Sequence, residues 1–357
     1  MAAQFYPLTV AAVQPETNDS VSVVFSVPDP LKELFQFAQG QYINLRTTLG
    51  GEEVRRSYSL CAAPYEQLLR IGVKKQPGGV FSTYLNEQLK AGDVLEVMPP
   101  QGKFFTPLDP QQQKSYVFIA AGSGITPILS LLKETLHTEP RSTCTLLYGN
   151  RNRGSILFFE ELEALKNKYM NRFRLIHILS REKTDAALHF GRINAGKLQE
   201  LEKLVSFKEA DEVFVCGPED LIHTVRDYLE QEGMERKHIH FELFGTGARK
   251  PKQTTAAGEA GGPVSHITVQ LDGRQFSFDL PLSSDTTLLD AAAAQGADVP
   301  YACKGGVCCT CKARLLEGEV QMDVHWGLDH EEIEQGYILT CQAHPKTETV
   351  VVDFDVK

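Results

Sequence analysis

No run of eighteen apolar residues occurs in the 357-residue sequence, and its opening MAAQFYPLTV lacks a basic stretch leading into an apolar one. Neither a membrane-spanning helix nor a secretory leader is on offer, so the expectation is a soluble, cytoplasmic protein with no membrane partner. A basic excess is missing too. Lys and Arg number 36 against 46 Asp and Glu, a net charge of −10, which is the wrong sign for gripping a phosphate backbone and excludes nucleic acid as an expected partner. A disulfide framework is also not expected: the chain is long, and four of its eight cysteines crowd into residues 303–311. Cys61, Cys144 and Cys216 stand singly in apolar or turn contexts, where a buried thiol is the plain reading.

The length exceeds what one hydrophobic core organises, and the pattern changes twice along it. Residues 5–108 hold short segments (22–27, 41–45, 69–73) punctuated by Pro and Gly, which read as an antiparallel β-barrel interrupted by a helix over 82–90. From 115 apolar strands alternate with helical stretches: strands at 116–120, 144–148, 173–179 and 211–216, helices at 127–137, 158–169 and 219–232. That order predicts an α/β doubly wound nucleotide-binding domain. Residues 245–265, GTGARKPKQTTAAGEAGGPVS, carry almost no large apolar side chain and suit a linker. Beyond them, segments 266–270 and 275–280 flank Asp272-Gly273 as a hairpin, and 287–295 suits a helix. The expected domains are a barrel at 1–110, a nucleotide-binding domain at 111–245, a linker at 246–265 and an α+β domain at 266–357.

Cys303, Cys308 and Cys311 stand as C-x4-C-x2-C, with Cys341 far downstream. This is the plant-type [2Fe–2S] spacing. The loop PYACKGGVCCTC supplies Gly305 and Gly306, which let the backbone wrap closely and aim N–H groups at sulfur. Four thiolates also suit Zn²⁺, although zinc more often takes two C-x2-C knuckles. Cys309, between the ligands, is assigned by the spacing to packing or to the loop surface.

Two further constellations precede it. Arg56-Ser57-Tyr58-Ser59 offers a guanidinium fork for a flavin phosphate, a ring to stack on the isoalloxazine and a hydroxyl for the flavin N5 region. Gly78-Gly79-Val80-Phe81-Ser82 opens a helix and offers backbone N–H groups to a pyrophosphate. Next, Gly122-Ser123-Gly124-Ile125-Thr126-Pro127 follows an apolar strand and opens a helix, a second phosphate cradle. Cys216-Gly217-Pro218 ends a later strand, and Ser180-Arg181 ends another, where an Arg could hold a ribose 2′-phosphate.

Together these motifs resemble, in order, the ferredoxin–NADP reductase family: its R-x-Y-S, its glycine-rich helix start, a barrel-closing Gly102, G-x-G-I-T-P, C-G-P and a closing E-x-F at Glu242-Leu243-Phe244. Residues 266–357 resemble plant-type ferredoxins, with a β-grasp fold. The resemblance implies FAD (or FMN, which some relatives use), a [2Fe–2S] cluster on Cys303, Cys308, Cys311 and Cys341, and NADPH in preference to NADH. It implies Ser59 and Cys216 as positioning groups on the transfer path, and Phe244 either as a flavin shield or as simple core. This domain order is similar to reductases of bacterial multicomponent oxygenases. The segment PYACKGGVCCTCKARLLEG is similar to their phenylacetyl-CoA epoxidase subfamily, which implies an oxygenase partner taking single electrons. A reductase of another aromatic-ring, Rieske or diiron oxygenase, or a non-catalytic metal-binding redox sensor, are the alternatives.

Overall fold

The computed structural model describes residues 4–244 and 262–356. Most of the stretch expected as a linker lies outside the described residues. By contacts the chain divides into two compact units, one of Tyr6–Val54 with Tyr58–Phe244, the other built on the C-terminal residues with the short stretch Arg55–Ser57.

The first unit opens with β1 (Tyr6–Thr17), β2 (Ser20–Ser26), β3 (Tyr42–Leu49), β4 (Glu52–Ser59), β5 (Leu69–Lys74), helix α1 (Val80–Glu87) and β6 (Val94–Val97). The six strands form one sheet in the order β4-β3-β6-β1-β2-β5. Leu60, just past β4, bridges to Ile71 in β5, so the two edges meet and the sheet closes into the expected barrel. Strand alternation builds its core: Leu8 and Val10 of β1 point inward with Thr9 outside, and Leu69, Ile71 and Val73 do the same in β5. Phe81 and Leu85 of α1 join that core. The helix starts earlier than the expected 82, because Gly79 takes its N-cap position.

The α/β half follows as β7 (Ser115–Ala121), α2 (Ile125–Thr138), β8 (Thr143–Asn150), α3 (Phe159–Lys168), β9 (Phe173–Leu179), α4 (Ala195–Leu201), β10 (Glu212–Gly217), α5 (Glu219–Gln231) and β11 (Ile239–Leu243). All pairings are parallel, in the order β11-β10-β7-β8-β9. From β7 the chain winds first toward β9 and then back to β10 and β11. The carboxyl ends of β7 and β10 therefore flank the switch point, where open α/β sheets bind ligands. Helix α2 is apolar and buried almost all round.

The second unit contains β12 (Val264–Leu271), β13 (Arg274–Pro281), α6 (Leu288–Ala294), β14 (Lys312–Glu317), β15 (Val320–Met322), α7 (His330–Glu334), β16 (Tyr337–Leu339), β17 (Ala343–Pro345) and β18 (Thr349–Asp353). A mixed sheet, β13-β12-β18-β14-β16, packs on α6, and β15 pairs with β17. Asp272 and Gly273 both have positive φ, 52° and 68°, as a two-residue hairpin turn requires. Thr287 caps α6 by accepting from the N–H of Asp290. Among the described residues no helix is long and apolar enough to cross a membrane.

Glu212, at the start of β10, is the charged anchor at the amino end of the sheet. Its Oε1 lies 2.9 Å from Lys114 Nζ and its Oε2 2.8 Å from His240 Nε2. Burial alone would raise its carboxyl, but these two partners override burial and hold it down to about 2. A depressed value stabilises the fold fully above the ordinary carboxylate range and progressively less as the pH falls toward it. Glu212→Gln should therefore cost roughly 2–3 kcal/mol at neutral pH and flatten the acid limb of a urea-unfolding series. An unchanged acid limb would show that the anchor carries no stability.

Candidate flavin, nicotinamide and cluster sites

At the switch point the backbone itself does the shaping. Gly122 has φ +55°, and a Cβ on Gly124 would sit 2.1 Å from the carbonyl oxygen of Cys216, so only glycine lets the turn after β7 press against the end of β10. Tyr148 Oη donates to Gly122 O at 3.0 Å, and Thr126 Oγ1 to Ser123 O at 3.1 Å, which fix the turn from both sides. Gly217 is constrained too, since a Cβ there would meet Leu221 at 2.9 Å. Pro218 then takes the N-cap of α5. Nothing lies within 4 Å of where a Cβ would stand on Gly122 or on Gly78, so both turns present open backbone to a ligand.

The barrel meets this crevice through Ser59. Its Oγ donates to Glu242 Oε2 at 2.9 Å, and Glu242 stands directly beside Cys216 in the β10–β11 register. Ser59 from β4, Cys216 from β10 and Glu242 from β11 are thus brought together. Burial pushes the Glu242 carboxyl up to about 8 against the hydrogen bond from Ser59, and burial drives the Cys216 thiol well above its usual range. The surroundings thus favour the protonated forms of Glu242 and Cys216. Glu242 is the member whose role the sequence did not reveal; its only signal was its place in E-x-F, because strand pairing decides which neighbour it faces.

The remaining flavin candidates lie on β4, at the start of α1 and after β11. Tyr58 lies 6.0 Å, ring to ring, from Phe81 of α1. Arg56 is exposed with Nη1 donating to Arg55 O at 2.7 Å, and Ser57 is half-buried. Gly78 has φ +73°, Gly79 caps α1, Val80 is exposed, and Ser82 Oγ accepts from Gln76 N at 3.1 Å. Phe244, after β11, is 44 % exposed, so it is not core. Ser180 and Arg181 sit apart from the trio, at the carboxyl end of β9. Ser180 N donates to Asn150 O at 2.9 Å and Arg181 N to Arg151 O at 2.8 Å. Glu182 is occupied by the N–H of Arg153 at 2.8 Å, leaving the side chains of Arg151, Arg153 and Arg181 exposed on one edge.

In the second unit, the loop before β14 turns through Lys304 (φ 52°) and Gly306 (φ 72°), where a Cβ would meet Val324 O at 2.8 Å. Cys303 Sγ accepts from Gly305 N at 3.3 Å and Cys308 N at 3.4 Å. Thr340 reaches Cys311 O through both N and Oγ1, which brings the downstream Cys341 to the loop. Cys308 Sγ in turn accepts from Cys303 N at 3.4 Å. The hydrogen bond from Cys308, seconded by backbone N–H groups, holds the Cys303 thiol down to about 6, while Cys308 and Cys311 are raised. Cys303, Cys308, Cys311 and Cys341 are the four thiols that would hold a [2Fe–2S] cluster. Cys309 turns away and donates to Gly327 O.

Three known protein families match the chain in the order of these sites. The Oxidoreductase FAD-binding domain family matches residues 7–106, the Oxidoreductase NAD-binding domain family 118–227, and the 2Fe-2S iron-sulfur cluster binding domain family 269–346. The chain is 44 % identical to a component of the 1,2-phenylacetyl-CoA epoxidase of Escherichia coli, over 99 % of this chain and 98 % of the relative. It is 36 % identical to the ferredoxin reductase component of a 3-ketosteroid-9-alpha-monooxygenase from Rhodococcus rhodochrous, over 97 % and 96 %. Among solved structures it resembles phthalate dioxygenase reductase, with a TM-score of 0.60, 25 % identity and 98 % of each chain covered.

The raised Glu242 carboxyl has a sign that can be checked. Its folded value lies above its ordinary one, so the stability held by the protonated acid is full below the ordinary carboxylate range and lost as the pH passes about 8. Thermal unfolding of the wild type should show a fall in Tm across that window that Glu242→Gln lacks. Parallel curves would mean that the carboxyl is already ionised in the fold.

Proposed function

The chain belongs to the oxidoreductase family that joins FAD-binding, NAD-binding and 2Fe-2S domains in one polypeptide, and on that footing we propose that it is the NADPH-dependent reductase of a multicomponent oxygenase, phenylacetyl-CoA 1,2-epoxidase. The observation that carries the reading is the meeting of Ser59, Glu242 and Cys216 at the switch point, in a chain that also brings the downstream Cys341 to the loop of Cys303, Cys308 and Cys311.

When bound, FAD would take a hydride, two electrons at once, and a [2Fe–2S] cluster would relay them singly, which is why one chain needs both. This chain's residues would do the rest. Arg56 would hold flavin phosphate, with the N–H groups of Gly78, Gly79, Val80 and Ser82 at the start of α1 receiving the pyrophosphate. Tyr58 would flank the ring from one side and the exposed Phe244 would shield the other. Gly122, Gly124 and Thr126 would shape the nucleotide pyrophosphate turn, and Cys216, Gly217 and Pro218 would seat the nicotinamide. Ser59 Oγ, held by its bond to Glu242, would be positioned toward the flavin N5 region. Cys303, Cys308, Cys311 and Cys341 would ligate the cluster.

Preference for NADPH is supported by the exposed Arg151, Arg153 and Arg181 beside Ser180, and by Glu182, whose carboxylate is drawn onto Arg153 N instead of a ribose 2′-hydroxyl. Choice of phenylacetyl-CoA epoxidase as the acceptor is supported by the 44 % relative. Reconstitution of the purified chain with that oxygenase component, scored by NADPH-dependent epoxidation, tests the reading; turnover only with a different oxygenase would move the assignment there.

Two variants separate its steps. Cys311→Ser should leave anaerobic bleaching of the flavin by NADPH within about twofold while cutting electron delivery to the oxygenase by about a hundredfold or more. Equal loss of both would show that the two units do not work in series. Arg181→Glu should raise KM for NADPH by about tenfold and leave that for NADH nearly unchanged; matching changes for both nucleotides would remove Arg181 from the 2′-phosphate site.

A further inference from the structure

We infer that Lys133 is a positioning residue for hydride transfer, a buried ammonium that latches the nucleotide-binding helix to the barrel loop behind the flavin strand and so sets how nicotinamide meets flavin. The inference rests on the hydride route proposed above.

Lys133 is the one charged side chain among the buried residues of α2, and only 2 % of it is exposed. Its Nζ lies 2.5 Å from Glu66, in the loop between β4 and β5, and 2.6 Å from Glu161 on α3. Glu161 also receives Arg70 of β5, whose Nη2 lies 2.9 Å from Oε1 and 2.8 Å from Oε2. Each half of the unit contributes one cation and one carboxylate. The two bonds that cross between halves are Lys133 to Glu66 and Arg70 to Glu161. Beside them, Ser130 Oγ of α2 donates to Ala62 O at 2.7 Å.

Both tethered segments lead straight to the reacting groups. Helix α2 begins at the Gly122–Gly124 turn that presses on Cys216, and the loop of Ala62 and Glu66 continues the strand that ends in Ser59. A buried ion cluster is a poor way to gain stability, since apolar side chains of like volume usually do as well. What it does that apolar contact does not is fix register. Leucine tolerates a slide of an ångström; an ammonium held between two carboxylates in a low-dielectric interior does not. A misplacement of that size between hydride donor and acceptor can cost about a hundredfold in rate. Lys133 touches neither nucleotide turn nor Ser59, so its effect runs through the segments it ties.

The test uses the full chain with its flavin. In Lys133→Met the limiting rate of anaerobic flavin bleaching by NADPH should fall about tenfold or more. The long-wavelength absorbance of nicotinamide stacked on flavin should weaken with it, while flavin content and the Kd for NADP⁺ stay within about twofold. Lys133→Arg, which keeps the charge, should recover most of both signals. Should Lys133→Met not fold, Glu66→Gln removes one crossing bond and should give the same signature at about threefold. A folded variant with unchanged rate and stacking absorbance overturns the inference, as does a loss that tracks weaker nucleotide binding or lost flavin. A wild-type chain that NADPH does not bleach would remove the hydride route and this inference together; a bleached wild type with an indifferent Lys133→Met removes the inference alone.

Discussion

The hydrogen bond from Ser59 to Glu242 is the interaction on which the first unit turns, because it is where two separately built sheets touch at their working ends. The barrel delivers a hydroxyl from the end of β4; the parallel sheet delivers a carboxyl from β11 and, one strand over, a thiol from β10. Burial favours the protonated form of that carboxyl against the hydrogen bond from Ser59. The close approach of Gly124 to the Cys216 carbonyl leaves no room for a side chain where the turn after β7 meets the end of β10.

Much of this was legible in the sequence, and the reason is local. Period-two alternation and Gly–Pro punctuation marked the barrel strands. Strands such as 173–179 and the helix after Gly124 were bounded by their own apolar periodicity, and Asp272-Gly273 announced a hairpin by its demand for positive φ. The cysteine spacing was equally local, since a loop that wraps a cluster needs its thiols at fixed intervals. Motif order put Arg56, Gly78, Gly122 and Cys216 forward as candidates.

What stayed hidden depends on pairing. Glu242 could be named but not given a task, because only the β10–β11 register sets it beside Cys216 and only barrel closure brings Ser59 to it. Lys133 read as an ordinary lysine within a helical stretch; its burial follows from the 62–66 loop and α3 arriving from other parts of the chain. The short strands β14 to β18 escaped for a similar reason. Most are three to six residues long and gain their identity from neighbours, with β12 pairing parallel to β18 across the whole domain. Phe244 shows the converse: its sequence context allowed either core or shield, and exposure decides against core.

The way Cys341 is recruited bears on the order in which the protein matures during synthesis. Cys303, Cys308 and Cys311 emerge from the ribosome on one loop, but the fourth thiol follows β14, β15, α7 and β16, and is registered only when Thr340 reaches back to the Cys311 carbonyl. The surfaces that would seat flavin and nucleotide are complete once β11 has formed. On the proposed ligand set, translation would make the dinucleotide half competent first and leave iron insertion as the closing event, with the thiols of the loop open to oxidants in the interval.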